Sequence, residues 1–137
     1  MNLDGFEAYD MHARPIAFSI TENGITFNAS VTKALGAPEY VALYVNQTDR
    51  LIVLKASAKV NRAAKVYMSK KKRESSVESV RWNGQKLNRD IMDLIEAENV
   101  QNCRLCGYKV FGRIVHIDEN SKEPAVLFDL KKAKQIL

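Results

Sequence analysis

The chain has 137 residues with 46% hydrophobic and 27% charged side chains, two cysteines and a formal net charge of +5. This composition is typical of one folded domain or two small intertwined ones, and a chain of this size forms a core without a metal or disulfide staple. A membrane-spanning class is excluded, because no apolar run reaches the roughly 18 residues that cross a bilayer. The N-terminus lacks a secretion-signal pattern, so a cytoplasmic location is expected.

The positive charge is concentrated in the middle of the chain. Residues 1–54 carry three basic and six acidic side chains, residues 55–90 carry eleven and three, and residues 91–137 carry seven of each. The whole surplus therefore belongs to one segment. Clustered Lys and Arg side chains are the electrostatic signature of a polyanionic partner.

The first half of the chain predicts a hairpin, a helix and a second hairpin. Alternating apolar residues mark the strands, and Asn23-Gly24 favours a tight type I′ turn between the first two. Asn28 is expected to cap a short helix and Gly36 to end it. In chain order the predicted elements are an N-terminal arm 1–15, strands 16–20 and 25–27, helix 29–35, and strands 40–45 and 51–54.

The second half repeats this plan. Ile25-Thr26-Phe27-Asn28 and Val80-Arg81-Trp82-Asn83 alternate in the same way, and each precedes a helical pattern and two strand-like runs. Asn83 is expected to cap the second helix, with Trp82 and Leu87 forming a hydrophobic staple. The predicted elements are strand 77–82, helix 85–97, strands 108–117 and 125–130, and a basic helical turn over 131–137.

Between the halves, residues 56–76 are predicted to form an exposed basic connector with a short strand at 65–68. Its side chains can neutralise phosphates. Tyr67 and Trp82 either stack on bases, if they are exposed, or lie in the core. The residues predicted to contact nucleic acid are Lys33, Lys59, Arg62, Lys65, Lys70, Lys71, Lys72, Arg73 and Arg81, with Lys55 and Arg113 as further candidates.

Together these elements predict an α+β, strand-rich fold. Two hairpin–helix–hairpin units are expected to form one small barrel or sandwich, with helix 85–97 covering one side. The expected organisation is an arm 1–15, a first unit 16–55, the connector 56–76 and a second unit 77–137.

The segment Gly24–Gly36, with the hairpin Tyr40–Leu54 behind it, resembles the AbrB/MazE swapped-hairpin family of small bacterial transcription factors and antitoxins. Leu35-Gly36 matches the family's helix end, Asp49 its acidic turn and 51–55 its last strand. The resemblance covers about 16–55 and has an echo at 77–130. It implies a swapped-hairpin-like barrel, built here within one polypeptide, or a homodimer as in the family.

Two departures from the family concern its DNA-binding helix. Asn28-Ala29 stands where the family has a proline, and Lys33 alone matches the family's basic residues there. The chain is also similar to uncharacterised short proteins from phages and mobile elements of Firmicutes, in which a Val-Arg-Trp-Asn segment recurs. That similarity implies an origin in a phage or mobile element, but it implies no particular activity.

The residues give little support to catalysis or metal binding. Cys103 and Cys106 form a single C-x-x-C, whereas a structural zinc site needs four ligands, so two reduced loop cysteines are expected rather than a metal site. The only histidines are His12 and His116, and there is no phosphate-binding loop or nucleophile motif. No enzyme activity and no cofactor are expected.

The function predicted from the sequence is non-enzymatic nucleic-acid binding by a regulatory protein of bacterial or mobile-element origin. DNA is favoured over RNA as the partner, and no membrane partner is expected. The alternative is a protein-interaction module, such as an antitoxin or a phage-encoded inhibitor of a host defence complex, in which the basic strip mimics or blocks a nucleic-acid contact.

Overall fold

The structure is a computed structural model. It describes residues 2–6, 14–58, 64–69, 79–97, 107–116 and 123–136. Its helices are α1 (Ala29–Leu35) and α2 (Gln85–Glu96), and Leu130–Lys132 form a 3₁₀ turn. The strands are β1 (Ala17–Thr21), β2 (Gly24–Phe27), β3 (Tyr40–Asn46), β4 (Leu51–Ala56), β5 (Lys65–Val66), β6 (Val80–Trp82), β7 (Tyr108–Val115), β8 (Ala125–Asp129) and β9 (Lys134–Gln135). Neither helix is long and apolar enough to cross a membrane.

All the strands belong to one antiparallel sheet, in the order β5-β3-β4-β8-β7-β1-β2-β6, with β9 also beside β7. The long strand β7 joins its two parts. Residues 108–111 of β7 pair with β1, and residues 112–115 pair with β8. After the 3₁₀ turn, β9 resumes pairing on β7 opposite Tyr108 and Lys109. The helical turn predicted over 131–137 is thus present only at its start, as the 3₁₀ turn Leu130–Lys132, and it is wrong for Lys134–Gln135, which form an unpredicted strand.

The sheet curls until strands that are not neighbours touch through their side chains. The rings of Phe27 on β2 and Phe128 on β8 have centroids 6.3 Å apart, although a flat sheet separates those strands by about 14 Å. Tyr67, directly after β5, packs on Phe27 at 5.9 Å and on Trp82 of β6 at 6.4 Å. The two ends of the sheet thus approach one another, and the fold is a strand-rich α+β half-barrel.

Gly112 allows this curl. A Cβ atom at position 112 would lie 2.6 Å from Cε1 of Phe128, which is far inside van der Waals contact. Because the position has no side chain, the Phe128 ring crosses over β7 and meets the ring of Phe18 on β1, edge to face, at 4.8 Å. The aromatic core on the inside of the curl therefore depends on a glycine at this position.

Helix α1 begins and ends where the sequence predicts. The side-chain oxygen of Asn28 accepts a hydrogen bond from the backbone N–H of Val31 at 3.1 Å, as expected of an N-cap. Gly36 ends the helix with a φ of 79°, in the left-handed region that glycine adopts without strain. The helix buries Val31, Thr32 and Leu35.

Helix α2 begins differently from the prediction. Gly84 is its N-cap, with no side-chain capping bond, so the Asn83 cap and the Trp82–Leu87 staple are wrong. The physical reason is competition for the Asn83 side chain, whose oxygen accepts a hydrogen bond from Nε of Arg81 at 3.1 Å. Nε and an Nη of Arg50 donate to the carbonyls of Leu94 and Ile95 at 2.7 Å each, which satisfies the end of the helix.

The strand pairing has an internal correspondence between β1–β4 and β5–β8. If each strand of β1–β4 is matched in order with a strand of β5–β8, the β3–β4 pairing corresponds to β7–β8. The β1–β7 pairing then corresponds to β5–β3. The β2–β6 and β4–β8 pairings map onto themselves. The hairpin β1–β2 has no counterpart in the described part of the second set, where β5 and β6 meet through side chains.

Candidate functional site

The strand register identifies which side chains the sheet presents to the outside. Directly paired residues lie on the same face of a sheet, and successive residues of a strand alternate between faces. Phe18, Ile20, Ile25 and Trp82 point into the core, so their strand neighbours point outward. We call the outward side chains of β9, β7, β1, β2 and β6 the cationic face: Lys134, Lys109, Phe111, Arg113, Val115, Ser19, Thr21, Thr26 and Arg81. Ala17 lies on the same side of β1 but is only 2% exposed.

One row of directly paired residues crosses this face from edge to edge. It runs Lys134, Lys109, Ser19, Thr26, Arg81. Five strands at the usual spacing make the row about 19 Å long. Cations thus stand at both ends of the row, and two hydroxyl groups lie between them. A rigid sheet fixes this spacing, so the row can bind an extended anionic chain without ordering a loop.

Phe111 lies at the densest part of this charge. Its ring is 41% exposed, and the ammonium nitrogens of Lys109 and Lys134 lie 5.3 and 5.5 Å from the ring centroid. Both distances are within cation–π range. The two lysines are direct cross-strand partners, and like charges in that position destabilise a sheet. An exposed aromatic ring with two facing ammonium groups adds little to folding.

Arg81 holds the other end of the row. Its guanidinium donates to Oδ1 of Asn83 at 3.1 Å, to Oγ1 of Thr26 at 3.4 Å and to the backbone carbonyl of Asn23 at 3.4 Å. These acceptors are neutral, so they orient the group without cancelling its charge. The side chain is exposed and directed over β2.

None of the residues of these five strands is Asp or Glu. A carboxylate does occur nearby, at Asp129 on β8, where Oδ1 lies 3.1 Å from Nζ of Lys131. Desolvation raises the pKa of the Asp129 carboxyl, but the hydrogen bonds and charge of Lys131, with the charge of Lys132, outweigh it and hold the pKa below its usual value. Lys131 also donates to the carbonyl of Asp49. Its charge is therefore used within the fold.

The structure brings only part of the predicted site together. Arg81 and Arg113 lie on the cationic face. Lys65 is on β5, with Nζ 5.1 Å from the centroid of the Trp82 ring, and Lys33 lies on α1 rather than on the sheet. Lys55 lies on β4, paired with Ala42 and Ala125, and so is not part of the cationic face. The remaining predicted positions, Lys59, Arg62, Lys70, Lys71, Lys72 and Arg73, lie outside the described residues, as do Cys103, Cys106 and His12.

Tyr67 and Trp82 belong to the core, so the suggestion that they stack on bases is wrong. They are 2% and 6% exposed. The Tyr67 hydroxyl is 2.8 Å from the hydroxyl of Thr32, and burial raises the pKa of Tyr67 to about 12, although that hydrogen bond opposes the increase. Their role is to bring the ends of the sheet together.

Sequence reasoning missed Lys109, Phe111 and Lys134 as site residues, because residues 91–137 are neutral as a whole. A signal was present in β7, where Lys109, Phe111 and Arg113 occupy alternate positions and therefore share a face. Lys134 had no such signal, since its place beside Lys109 requires the pairing of β9 with β7.

Comparisons of the chain with protein-family models, with curated proteins and with solved structures found no match. The AbrB/MazE resemblance therefore stays a prediction. Within the described residues, no group of three or more His, Cys, Asp or Glu side chains is placed to hold a metal ion.

Proposed function

We propose that the protein is a non-enzymatic nucleic-acid-binding protein and that the cationic face is its binding surface. The observation that carries the proposal is the row from Lys134 to Arg81, in which three distant segments place cations on strands without carboxylates. Charge gathered in this way attracts a polyanion, and nucleic acid is the polyanion whose phosphates recur at short, regular spacing.

The chemistry of the face favours phosphates over base edges. Lysine ammonium groups are point charges that contact phosphate oxygens without reading a sequence. Arg81 is held in place by three neutral acceptors and adds a forked donor suited to a phosphate. The expected binding is therefore tight at low salt and weakly dependent on sequence.

The proposal has two further parts. The basic connector 56–76 contributes to binding, and the protein has a regulatory role in a bacterium or mobile element. DNA is the favoured partner over RNA. We also propose a swapped-hairpin architecture, which is supported by the correspondence between the pairings of β1–β4 and those of β5–β8. In that arrangement the connector joins the two units, and its charges would add to those of the cationic face.

A protein-interaction module is the second candidate function, favoured by the other part of the sheet. We call the outward side chains of β5, β3, β4 and β8 the apolar face. Its central row is Tyr44, Val53 and Leu127, and Tyr44 is 51% exposed. Val53 and Leu127 are half-buried beside it. An exposed aromatic side chain next to apolar neighbours is typical of surfaces that contact proteins.

The experiment that tests nucleic-acid binding is a salt series with fluorescently labelled DNA and RNA. The face variant K109Q/K134Q removes two charges from the row, and the matched control K86Q/R89Q removes two exposed charges from α2. The face variant is expected to lower the log–log salt slope by about 1.5, because each lost phosphate contact reduces it by about 0.7 to 0.9. The control is expected to keep the slope.

Two results would contradict the proposal. One is the absence of binding to DNA and RNA at low salt. The other is an equal loss of slope in the face variant and the control, which would mean that net charge alone drives association. Recovery of a protein partner whose binding is abolished by a Tyr44→Ser change, together with absent nucleic-acid binding, would favour the second candidate.

A further inference from the structure

We propose that Phe111, Lys109 and Lys134 form a stacking site for single-stranded nucleic acid. One unpaired base lies on the Phe111 ring, and the phosphates on either side of that base bind the two ammonium groups. This inference rests on the proposed function and deepens it, because it names the form of nucleic acid that the face selects.

Phe111 is available for a ligand because the core does not use it. The ring contacts of the core join Phe18, Phe27, Tyr67, Trp82 and Phe128, all on the inside of the curl. Phe111 points the other way. Its partner on β1 is the buried Ala17, and the Phe111 ring itself is 41% exposed. A flat, exposed ring on a rigid strand is the platform that base stacking requires.

The two lysines fit the phosphates of a stacked nucleotide. Both ammonium groups lie within 5.5 Å of the ring centroid and come from opposite strands, so they approach the ring from paired positions. Lysine has a flexible four-carbon stem, so each ammonium can leave the ring for a neighbouring phosphate when a base takes its place. The phosphates also screen the repulsion between the two cations, which in the free protein opposes their attraction to the ring.

The rest of the row extends the site across the sheet. From Lys109 the hydroxyl groups of Ser19 and Thr26 lead to Arg81 over about 14 Å. Hydroxyl groups donate to phosphate or sugar oxygens without adding charge. A chain that leaves Phe111 can therefore continue along a polar track that ends at a guanidinium. The short span fits a site of about four nucleotides, the lower end for sheet-based single-strand binders.

Duplex nucleic acid cannot use this site in the same way. Its bases are already stacked and paired, so no π-face is free for Phe111 unless the duplex opens. The lysines and Arg81 can still contact duplex phosphates. Single strands are therefore bound through charge and stacking, whereas duplexes are bound through charge alone.

The test compares a single-stranded oligonucleotide with a hairpin duplex of the same length. Phe111→Leu keeps an apolar side chain and removes the aromatic ring, and Phe111→Trp keeps a stacking ring. The Leu variant is expected to weaken single-strand binding about tenfold and to leave duplex binding within about twofold, with an unchanged salt slope. The Trp variant is expected to keep single-strand binding, and its exposed indole emission should be quenched by the single strand only.

The outcomes separate this inference from the proposed function. Equal affinity of the wild-type protein for both forms, or equal losses for both in the Leu variant, would overturn the stacking site. If K109Q/K134Q still lowers the salt slope in that case, nucleic-acid binding by the cationic face stands. Absence of binding to either form at low salt overturns both. Circular dichroism of each variant verifies that the change at this exposed position leaves the fold intact.

Discussion

The cationic face and the apolar face are parts of one sheet over one core, yet their outward chemistry differs. Strand β7 presents Lys109, Phe111 and Arg113, whereas β3, its counterpart in the internal correspondence, presents Tyr40 and Tyr44 on either side of the buried Ala42. The inward residues of both strands are small or apolar. The comparison teaches that folding determines the chemistry of the side chains on the inner face, whereas those on the outer face can be selected for other properties. The core does not require the charge on β7 and β9, and this agrees with the ligand that we propose for it.

The largest expected effect comes from breaking the core that the two faces share. Phe128→Ala removes the ring that contacts both Phe18 and Phe27, so it should lower the free energy of unfolding by about 3 to 5 kcal/mol. Tyr44→Thr, an outward change on the apolar face, should change that free energy by less than about 0.5 kcal/mol. Urea unfolding followed by circular dichroism measures both. Similar losses in the two variants would mean that the outward side chains are not independent of the fold.

An intermediate effect is expected at Tyr67, where the two ends of the sheet meet. The pKa of Tyr67 is raised from 10.0 to about 12, so its stabilising contribution is complete below pH 10 and is lost as the pH rises towards 12. The loss is at most about 1.4 kcal/mol per pH unit. Tyr67→Phe should abolish this part of the alkaline decline and cost about 1 kcal/mol near neutral pH through the lost Thr32 hydrogen bond.

Alkaline unfolding curves of the wild-type protein and of the Tyr67→Phe variant give this comparison directly. Only the difference between the two curves is diagnostic, because it isolates the contribution of the Tyr67 phenol. Parallel curves between pH 10 and 12 would contradict a protected phenol at the junction of the sheet ends.

Much of the fold was accessible from the sequence because its signals are local. The caps Asn28 and Gly36 act within a few residues, and the structure has them where the sequence predicts. The first hairpin is also present, but its turn consists of Glu22 and Asn23, with Gly24 already paired to Thr21 in β2. Neither turn residue has the positive φ of a type I′ turn, so that part of the prediction is wrong. Asn83 has the same local signal and does not cap α2, because Arg81 binds its side chain. A side chain two residues earlier in the sequence was enough to prevent the helix capping that the local pattern predicts.

The candidate site was less accessible because it depends on register. The charge count located the cations of the connector, but it gave no reason to join Arg81 to Lys109 and Lys134. Those residues come to lie in one row only when β9, β7, β1, β2 and β6 pair in the observed order. Pairing between distant segments is set by tertiary packing, which a single sequence does not encode in any short window.

The most direct test of the central claim maps the bound surface residue by residue. Backbone amide resonances of ¹⁵N-labelled protein are followed while a short single-stranded oligonucleotide is added at low salt. Binding by the cationic face predicts shifts along β7, β9, β1, β2 and β6, largest around Lys109 and Phe111, with β3, β4 and β8 nearly unchanged. Shifts concentrated around Tyr44 and Val53, with the row from Lys134 to Arg81 unaffected, would contradict the account.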